Sequence, residues 1–399
     1  MSWNLERVLY SQFNTPTDIL FDGRFVVVLD ADGLHFIDYR NQQNITQDNL
    51  LGDSNFGLST SKTITVTGTK VAYFDNHYYV TNADEFNTLT KINYATGIVA
   101  TISLPEVMNS NIAPINGKLW FSSKGKDDLL DEQTLYSFDG DDFALGKIPV
   151  RHQQAPRYLA TDYRGNVIVT NFNDVSISKF DSDTITHLSD IRLSREAYFI
   201  KTLSDRTCFV ASTQGVADED EDYDRTLADG STSNSEFDTG MLYAVDTVLD
   251  TQQTKFQTLG KIGGIADQSG KLWMSHNREL KDDVKGIMRL TLSNNQVKFT
   301  KAYEMKLKTD PASTPPFNWN IEEGKFFEYS YGKCIKTETY DYEYWNGNSV
   351  AQATVPEYFF CIGDGYLQGF KIESMYTTQR VNIQSTAMIS TGNHDYTGD

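Results

Sequence analysis

The sequence predicts an all-β chain, one domain built from repeated small antiparallel sheets, and three observations predict it. Short apolar runs alternate with polar residues at period two, the pattern of strands that turn one face to a core. Clusters of Asp, Asn and Gly separate the runs, at the places where hairpin turns need positive backbone angles. The whole pattern returns about every 40–55 residues, the length of a four-stranded propeller blade. One blade cannot bury both faces of its sheet, whereas blades set round an axis cover one another and leave only short edges. The prediction is a β-propeller over residues 1–399, with seven copies counted. Eight follow if residues 358–371 begin a blade of their own, and six if the first copy is something else.

Taken in order, the first copy comprises residues 18–21, the turn Asp22-Gly23, residues 25–29, the turn Asp30-Ala31-Asp32-Gly33, and residues 34–39. The second comprises 71–74, Asp75-Asn76 and 77–82, then 89–93 and 98–103 either side of Ala95-Thr96-Gly97. The third is 111–115, Asn116-Gly117, 118–123, then 134–138 closed by Asp139-Gly140. The fourth is 158–162, Arg164-Gly165, 166–171 and 175–180. A fifth starts at Tyr198, turns at Ser204-Asp205 and continues through 207–212 and 241–246. The sixth is 262–266, Ser269-Gly270, 271–276 and 286–292. The seventh opens at 318–321, turns at Glu323-Gly324, passes through 325–329 and finishes, after a long insertion, at 358–371. Ring closure removes a free edge when one sheet takes strands from both chain ends. Either 3–10 or 380–389 supplies that outer strand.

Tyr79-Val80-Thr81-Asn82, followed by Leu89-Thr90-Lys91-Ile92-Asn93-Tyr94-Ala95-Thr96-Gly97-Ile98-Val99-Ala100-Thr101-Ile102, resembles the repeat of the YVTN-type β-propellers. Val169-Thr170-Asn171 with residues 175–181 looks like a second copy. Leu242-Tyr243-Ala244-Val245-Asp246 is similar to NHL and quinoprotein-like propellers. The resemblance implies a fold and leaves activity open, because one architecture hosts many functions.

The formal net charge of −19 opposes general binding to phosphate backbones or anionic lipid. Nucleic acid and membrane surfaces are therefore not expected partners. Cys208, Cys334 and Cys361 show no CxxC spacing, and buried reduced thiols are the expectation, against a disulfide or a nucleophile. Residues 1–12 carry no basic segment followed by an apolar one, so the chain is expected in a cytoplasm, or in a virion if viral. The six histidines have no HExxH spacing, and neither a G-x-S-x-G elbow nor a phosphate-cradling G-x-x-x-x-G-K-[ST] loop is present.

Three groups of residues remain as candidate sites. The acidic insertion 214–240 places alternate carboxylates at Asp218, Asp220, Asp222 and Asp224, which suit Ca²⁺ if the loop curls. It lacks the glycine of an EF-hand loop, and a solvated acidic loop is the other reading. The insertion 333–356 carries Tyr340, Tyr342, Tyr344 and Trp345, either a recognition ridge or a hairpin packed on the adjoining blade. Third, the last residues of the second strands align as Asp30, Asn82, Ser123, Asn171, Ser212, His276 and Ser330. Within that ring Asp30, Asn82, Asn171 and His276 either hold a metal or small polar ligand at the axial mouth, or cap their own turns.

The expected function is a non-catalytic scaffold that docks other protein subunits of an assembly and needs no cofactor. Its most specific form is a virion protein, a tailed-phage tail or capsid accessory. That form rests on the missing export signal, free cysteines, a 22% charged composition and loops rich in Asn, Thr, Ser and Tyr. The alternative is a calcium-dependent propeller hydrolase of lactonase or esterase type, or a sugar-recognising enzyme, with an axial site.

Overall fold

The computed structural model describes residues 7–10, 13–39, 60–82, 87–108, 110–123, 134–147, 156–171, 176–193, 199–202, 207–212, 225–226, 232–233, 241–257, 261–268, 271–278, 284–293, 296–305, 333–345, 347–355, 357–363 and 366–371. Among these are seven four-stranded antiparallel sheets and two separate two-stranded ribbons. The first sheet contains Asp18–Phe21, Val26–Asp30, Gly33–Ile37 and Thr60–Ile64. The second contains Val71–Phe74, His77–Thr81, Thr88–Asn93 and Gly97–Ser103. Ala113–Ile115, Lys118–Ser122, Thr134–Phe138 and Phe143–Lys147 make the third, and Pro156–Thr161, Val167–Asn171, Ser176–Phe180 and His187–Arg192 the fourth. The fifth contains Phe199–Thr202, Thr207–Ser212, Met241–Asp246 and Thr251–Gln257, and the sixth Lys261–Gln268, Lys271–Arg278, Val284–Ser293 and Gln296–Met305. Each of these six meanders runs outward in sequence order, and the inner strands of the seven sheets neighbour one another in cyclic order.

The local chemistry explains the hairpins. Asp75 and Asn76 both hold positive φ (46° and 57°), as do Asn116 and Gly117 (46° and 70°). Two successive positive angles make the type I′ turn that suits the twist of adjoining strands.

Period two then decides the packing. Val26 and Val28 of the first sheet face the seventh and cluster with Tyr358, Phe360 and Ile362. Val27 and Leu29, one step out of phase, face the second and cluster with Val71, Tyr78 and Val80. The same alternation joins the second sheet to the third through Tyr79, Leu119 and Phe121. Trp120, Val167 and Val169 join the third to the fourth, and Ile168, Tyr243 and Val245 the fourth to the fifth. Strands covered on both faces read as continuous apolar runs, so Val26–Asp30 and Val167–Asn171 are buried throughout. The fourth strand of the second sheet, Gly97–Ser103, lies at the rim with Ile98 and Val99 half exposed.

The seventh sheet closes the ring and corrects the sequence reading. Its order is Cys334–Lys336, Tyr358–Gly363, Tyr366–Lys371 and finally Arg7–Tyr10, which pairs antiparallel with Tyr366–Lys371. The N-terminal segment therefore supplies the outer strand. The inner strand falls inside the stretch 333–356 that the sequence reading treated wholly as an insertion. Residues 318–329, expected to open this blade, lie outside the described residues, as does Ser330. The ribbon of Tyr340–Trp345 with Val350–Val355 leaves the sheet between its first and second strands.

Candidate functional site

The inner strands enclose an axial space. A cavity of ≈ 190 Å³ lies among Asp18, Asn111, Tyr158, Lys201, Lys333 and Cys334, drawn from five sheets and the segments that lead into them. A larger one of ≈ 470 Å³ extends along Phe21, Tyr73, Pro114 and Thr161.

Polar clamps tie the blades together round this space. Asp18 Oδ1 accepts from Lys333 Nζ at 2.6 Å and from Ile19 N at 2.9 Å, while Oδ2 accepts from Val71 N at 2.9 Å. One carboxylate thus joins the seventh, first and second sheets. Between the third and fourth sheets, Asn111 Nδ2 donates to Leu159 O at 3.1 Å and Leu159 N donates to Asn111 Oδ1 at 2.7 Å. Further out, Lys179 donates to Thr247 O at 2.9 Å and pairs with Asp250. The Tyr78 hydroxyl donates to Asp22, and burial, with that carboxylate, raises the phenol above its ordinary range.

The ring residues occupy comparable register positions, each beside the beginning of its inner strand. Asp30 follows the Asp18–Leu29 pair, Asn82 follows Thr81, whose N–H reaches Lys70 O, and Asn171 pairs with Pro156. His276 pairs with Ile262, and its side chain lies outside the described ones. The other three side chains are engaged within their own blades. Asp30 accepts from Asn14 N at 2.7 Å and Thr15 N at 2.6 Å, holding the chain that enters the first sheet. Asn82 Oδ1 accepts from Asn87 N at 2.9 Å and Thr88 N at 3.1 Å. Asn171 Nδ2 donates to Ser176 Oγ and Ser178 Oγ, at 3.1 and 2.8 Å. Its Oδ1 is buried and has no hydrogen-bond partner among the described residues.

Asp30 also belongs to a group that the sequence reading missed. Ligand atoms of Asp30, Asp32 and His35 lie within 4.8 Å of one another across one hairpin. The spacing Asp-x-Asp-x-x-His was the available signal. The donors already have partners, because His35 Nε2 meets Asp32 at 2.7 Å and Nδ1 meets Thr63 Oγ1 at 3.2 Å. The hydrogen bond from His35 holds the Asp32 carboxyl below its usual value.

Asp218, Asp220, Asp222 and Asp224 lie outside the described residues. The ribbon is rooted where Thr337 N donates to Tyr358 O and Tyr358 N donates to Thr337 Oγ1, both at 2.9 Å. Tyr39 OH donates to Glu338 O at 2.7 Å beside that root. Register sets Tyr340, Tyr342 and Tyr344 against Val355, Ala353 and Ala351. One step out of phase, Thr354 Oγ1 donates to Asp341 Oδ1 at 2.6 Å and Gln352 Nε2 donates to Glu343 at 3.3 Å. Trp345 pairs with the exposed Val350 at the tip.

No family model and no curated protein sequence matches the chain. Solved structures share its fold. The β-propeller domain of Swd1 from Myceliophteria thermophila has a TM-score of 0.55 at 9% identity, covering 92% of this chain and 99% of that one. Virginiamycin B lyase from Staphylococcus aureus gives 0.54 at 12% identity, with 92% and 100% covered. A chain of the Mitotic Checkpoint Complex gives 0.55 at 9%, with 93% and 92% covered. Likeness at such identities concerns the fold, and the chain is a β-propeller.

Proposed function

We propose that this propeller is a non-catalytic docking module that engages another protein through the ribbon of Tyr340–Trp345 and Val350–Val355. The amphipathic register of that ribbon carries the reading. Strand alternation puts Tyr340, Tyr342 and Tyr344 on one face with Ala351, Ala353 and Val355. Asp341, Glu343, Gln352 and Thr354 form the hydrogen-bonded polar face. A two-stranded ribbon is marginal by itself in water, so an apolar face on one gains stability from a further surface. Tyr is among the residues favoured in the cores of protein interfaces.

The polar face does not compete for that role, since its side chains satisfy one another across the strands. The Mitotic Checkpoint Complex chain, by its name a member of an assembly, supports a protein partner. The lyase among the similar structures illustrates that the fold itself does not choose between docking and catalysis. A virion subunit is the more specific form of the proposal, and composition rather than geometry carries it. On either form, nucleic acid and membrane are not the partners proposed, given the charge of −19.

The test replaces Tyr340, Tyr342 and Tyr344 by Ser in the full chain and compares the proteins captured from the source extract with those captured by the unaltered chain. Melting temperature and circular dichroism should stay unchanged while at least one stoichiometric partner is lost. Identical captured sets from two folded chains would refute the ribbon as the docking surface.

A further inference from the structure

Cys334 and Cys361 face each other across the two inner strands of the closing sheet. Their sulfurs are 3.2 Å apart, and both residues are more than nine-tenths buried. The backbone bonds Ile362 N to Lys333 O and Thr337 N to Tyr358 O fix the parity of the ladder. They make 334 and 361 a pair without mutual backbone hydrogen bonds, the closer type, with α-carbons about 4.5 Å apart. That separation lies within the span of a disulfide. Cys334 also lines the axial cavity, beside Lys333 and Lys201, whereas Cys361 does not line it.

We propose that Cys334 and Cys361 form a redox-active dithiol, which a small disulfide reaching Cys334 through the axial cavity oxidises to a reversible cross-strand cystine. In the first step the Cys334 thiolate attacks the small disulfide RSSR, forming Cys334–S–S–R and releasing RS⁻. Cys361 then gives up its proton, and its thiolate attacks the Cys334 sulfur and expels a second RS⁻. Two protein thiols are oxidised and one RSSR is reduced to two RSH. Burial and the neighbouring thiol hold the Cys361 proton tightly. The protein sulfur that reacts first is therefore the one at the cavity wall, and Cys361 acts only once the mixed disulfide lies against it.

The bond would have a defined mechanical effect. The two cysteines are 27 positions apart in sequence, and the segment between them contains the entire ribbon. Oxidation closes that segment into a covalent loop and pins both strands at its root. The thiol chemistry does not rest on the docking reading, since the bond forms or fails whatever the ribbon engages.

The test incubates folded full-length chain with oxidised glutathione, quenches in acid, labels remaining thiols with N-ethylmaleimide in denaturant and maps the peptides. A single Cys334–Cys361 link is expected, about 2 Da lighter than the dithiol and reversed by dithiothreitol. The variant C361S should stop at a glutathione adduct on Cys334. C334S should leave Cys361 unmodified. Maleimide on both cysteines of the unaltered chain after incubation would overturn the proposal, as would glutathione on Cys361 in C334S. The unaltered chain decides whether the link forms, so a variant that fails to fold does not shelter the idea.

Discussion

The Lys333 ammonium lies 2.6 Å from the Asp18 carboxylate, across the seam where the first and seventh sheets meet. The second carboxylate oxygen takes the Val71 amide of the next blade. Asp18 is the more deeply buried partner and Lys333 is partly exposed, so removing either leaves the other's charge without its partner at less than the cost of breaking a fully buried pair. Asp18→Ala should therefore lower the melting temperature more than Lys333→Met, which leaves both amide donors on Asp18 satisfied. Equal losses from the two variants would show that the amide contacts add nothing to the seam.

Asp30 is fully buried, and both its oxygens bind amides of the incoming chain. Asp30→Ala leaves two donors without their acceptor, a loss of about 1–3 kcal/mol per stranded group. The same saturation predicts no calcium-dependent stabilisation through Asp30. Thermal unfolding in EDTA and then in excess CaCl₂ should give the same midpoint in a chain lacking 218–224. Calcium at 100 times its dissociation constant would instead add about 2.7 kcal/mol.

Acid should weaken the fold through a definable set of carboxyls. Backbone amides of Asp142 and Asp141 hold Asp139 below its ordinary value, and Thr184 does the same for Asp181 through its amide and hydroxyl. Asp32 is lowered by its bond from His35. With folded values below the unfolded one of 3.8, the unfolded chain takes up protons first as pH falls. The stability they contribute is whole above about pH 4 and disappears as pH drops through the folded values. Midpoints measured on a descending pH series should show that fall, and Asp181→Asn should make it shallower. A slope unaltered by Asp181→Asn would remove this carboxyl from the account.

Gly369 sits directly opposite Phe360 in the closing sheet. A β-carbon added there would meet the ring at 2.3 Å. Gly369→Ala should destabilise by about 1–3 kcal/mol through overpacking, and the double change with Phe360→Leu should recover part of the loss relative to Phe360→Leu alone. Additive effects in a denaturant series would contradict the contact.

The three inner strands of the first six sheets were legible because each sheet pairs apolar runs with a turn whose chemistry is local, whereas the outer strands Thr60–Ile64, Phe143–Lys147, His187–Arg192, Thr251–Gln257 and Gln296–Met305 were not read. Asp75-Asn76 and Asn116-Gly117 announce their hairpins without help from the rest of the chain. The seventh was misread at its inner strand because Cys334–Lys336 is three residues long, too short to show a period, while 318–329 carries a better pattern. Asp18 was missed for another reason. Its partners Val71 and Lys333 are 53 and 315 residues away, and a polar residue opening a strand looks like the end of a turn. The candidate ring was half legible. Register gave the equivalent positions Asp30, Asn82 and Asn171, but the direction of each side chain is decided by the amides or hydroxyls it binds, which no strand pattern records.

The ribbon's apolar face is the central claim, and contact at Tyr342 tests it most directly. A photo-crosslinking amino acid at position 342 of the full chain, irradiated in the source extract, is compared with the same group at the exposed Leu145 on the rim of the third sheet. One dominant protein adduct is expected from position 342 and none of that species from position 145. Crosslinks from position 342 confined to the propeller's own residues would show that the face is covered by this chain itself and contradict the docking reading.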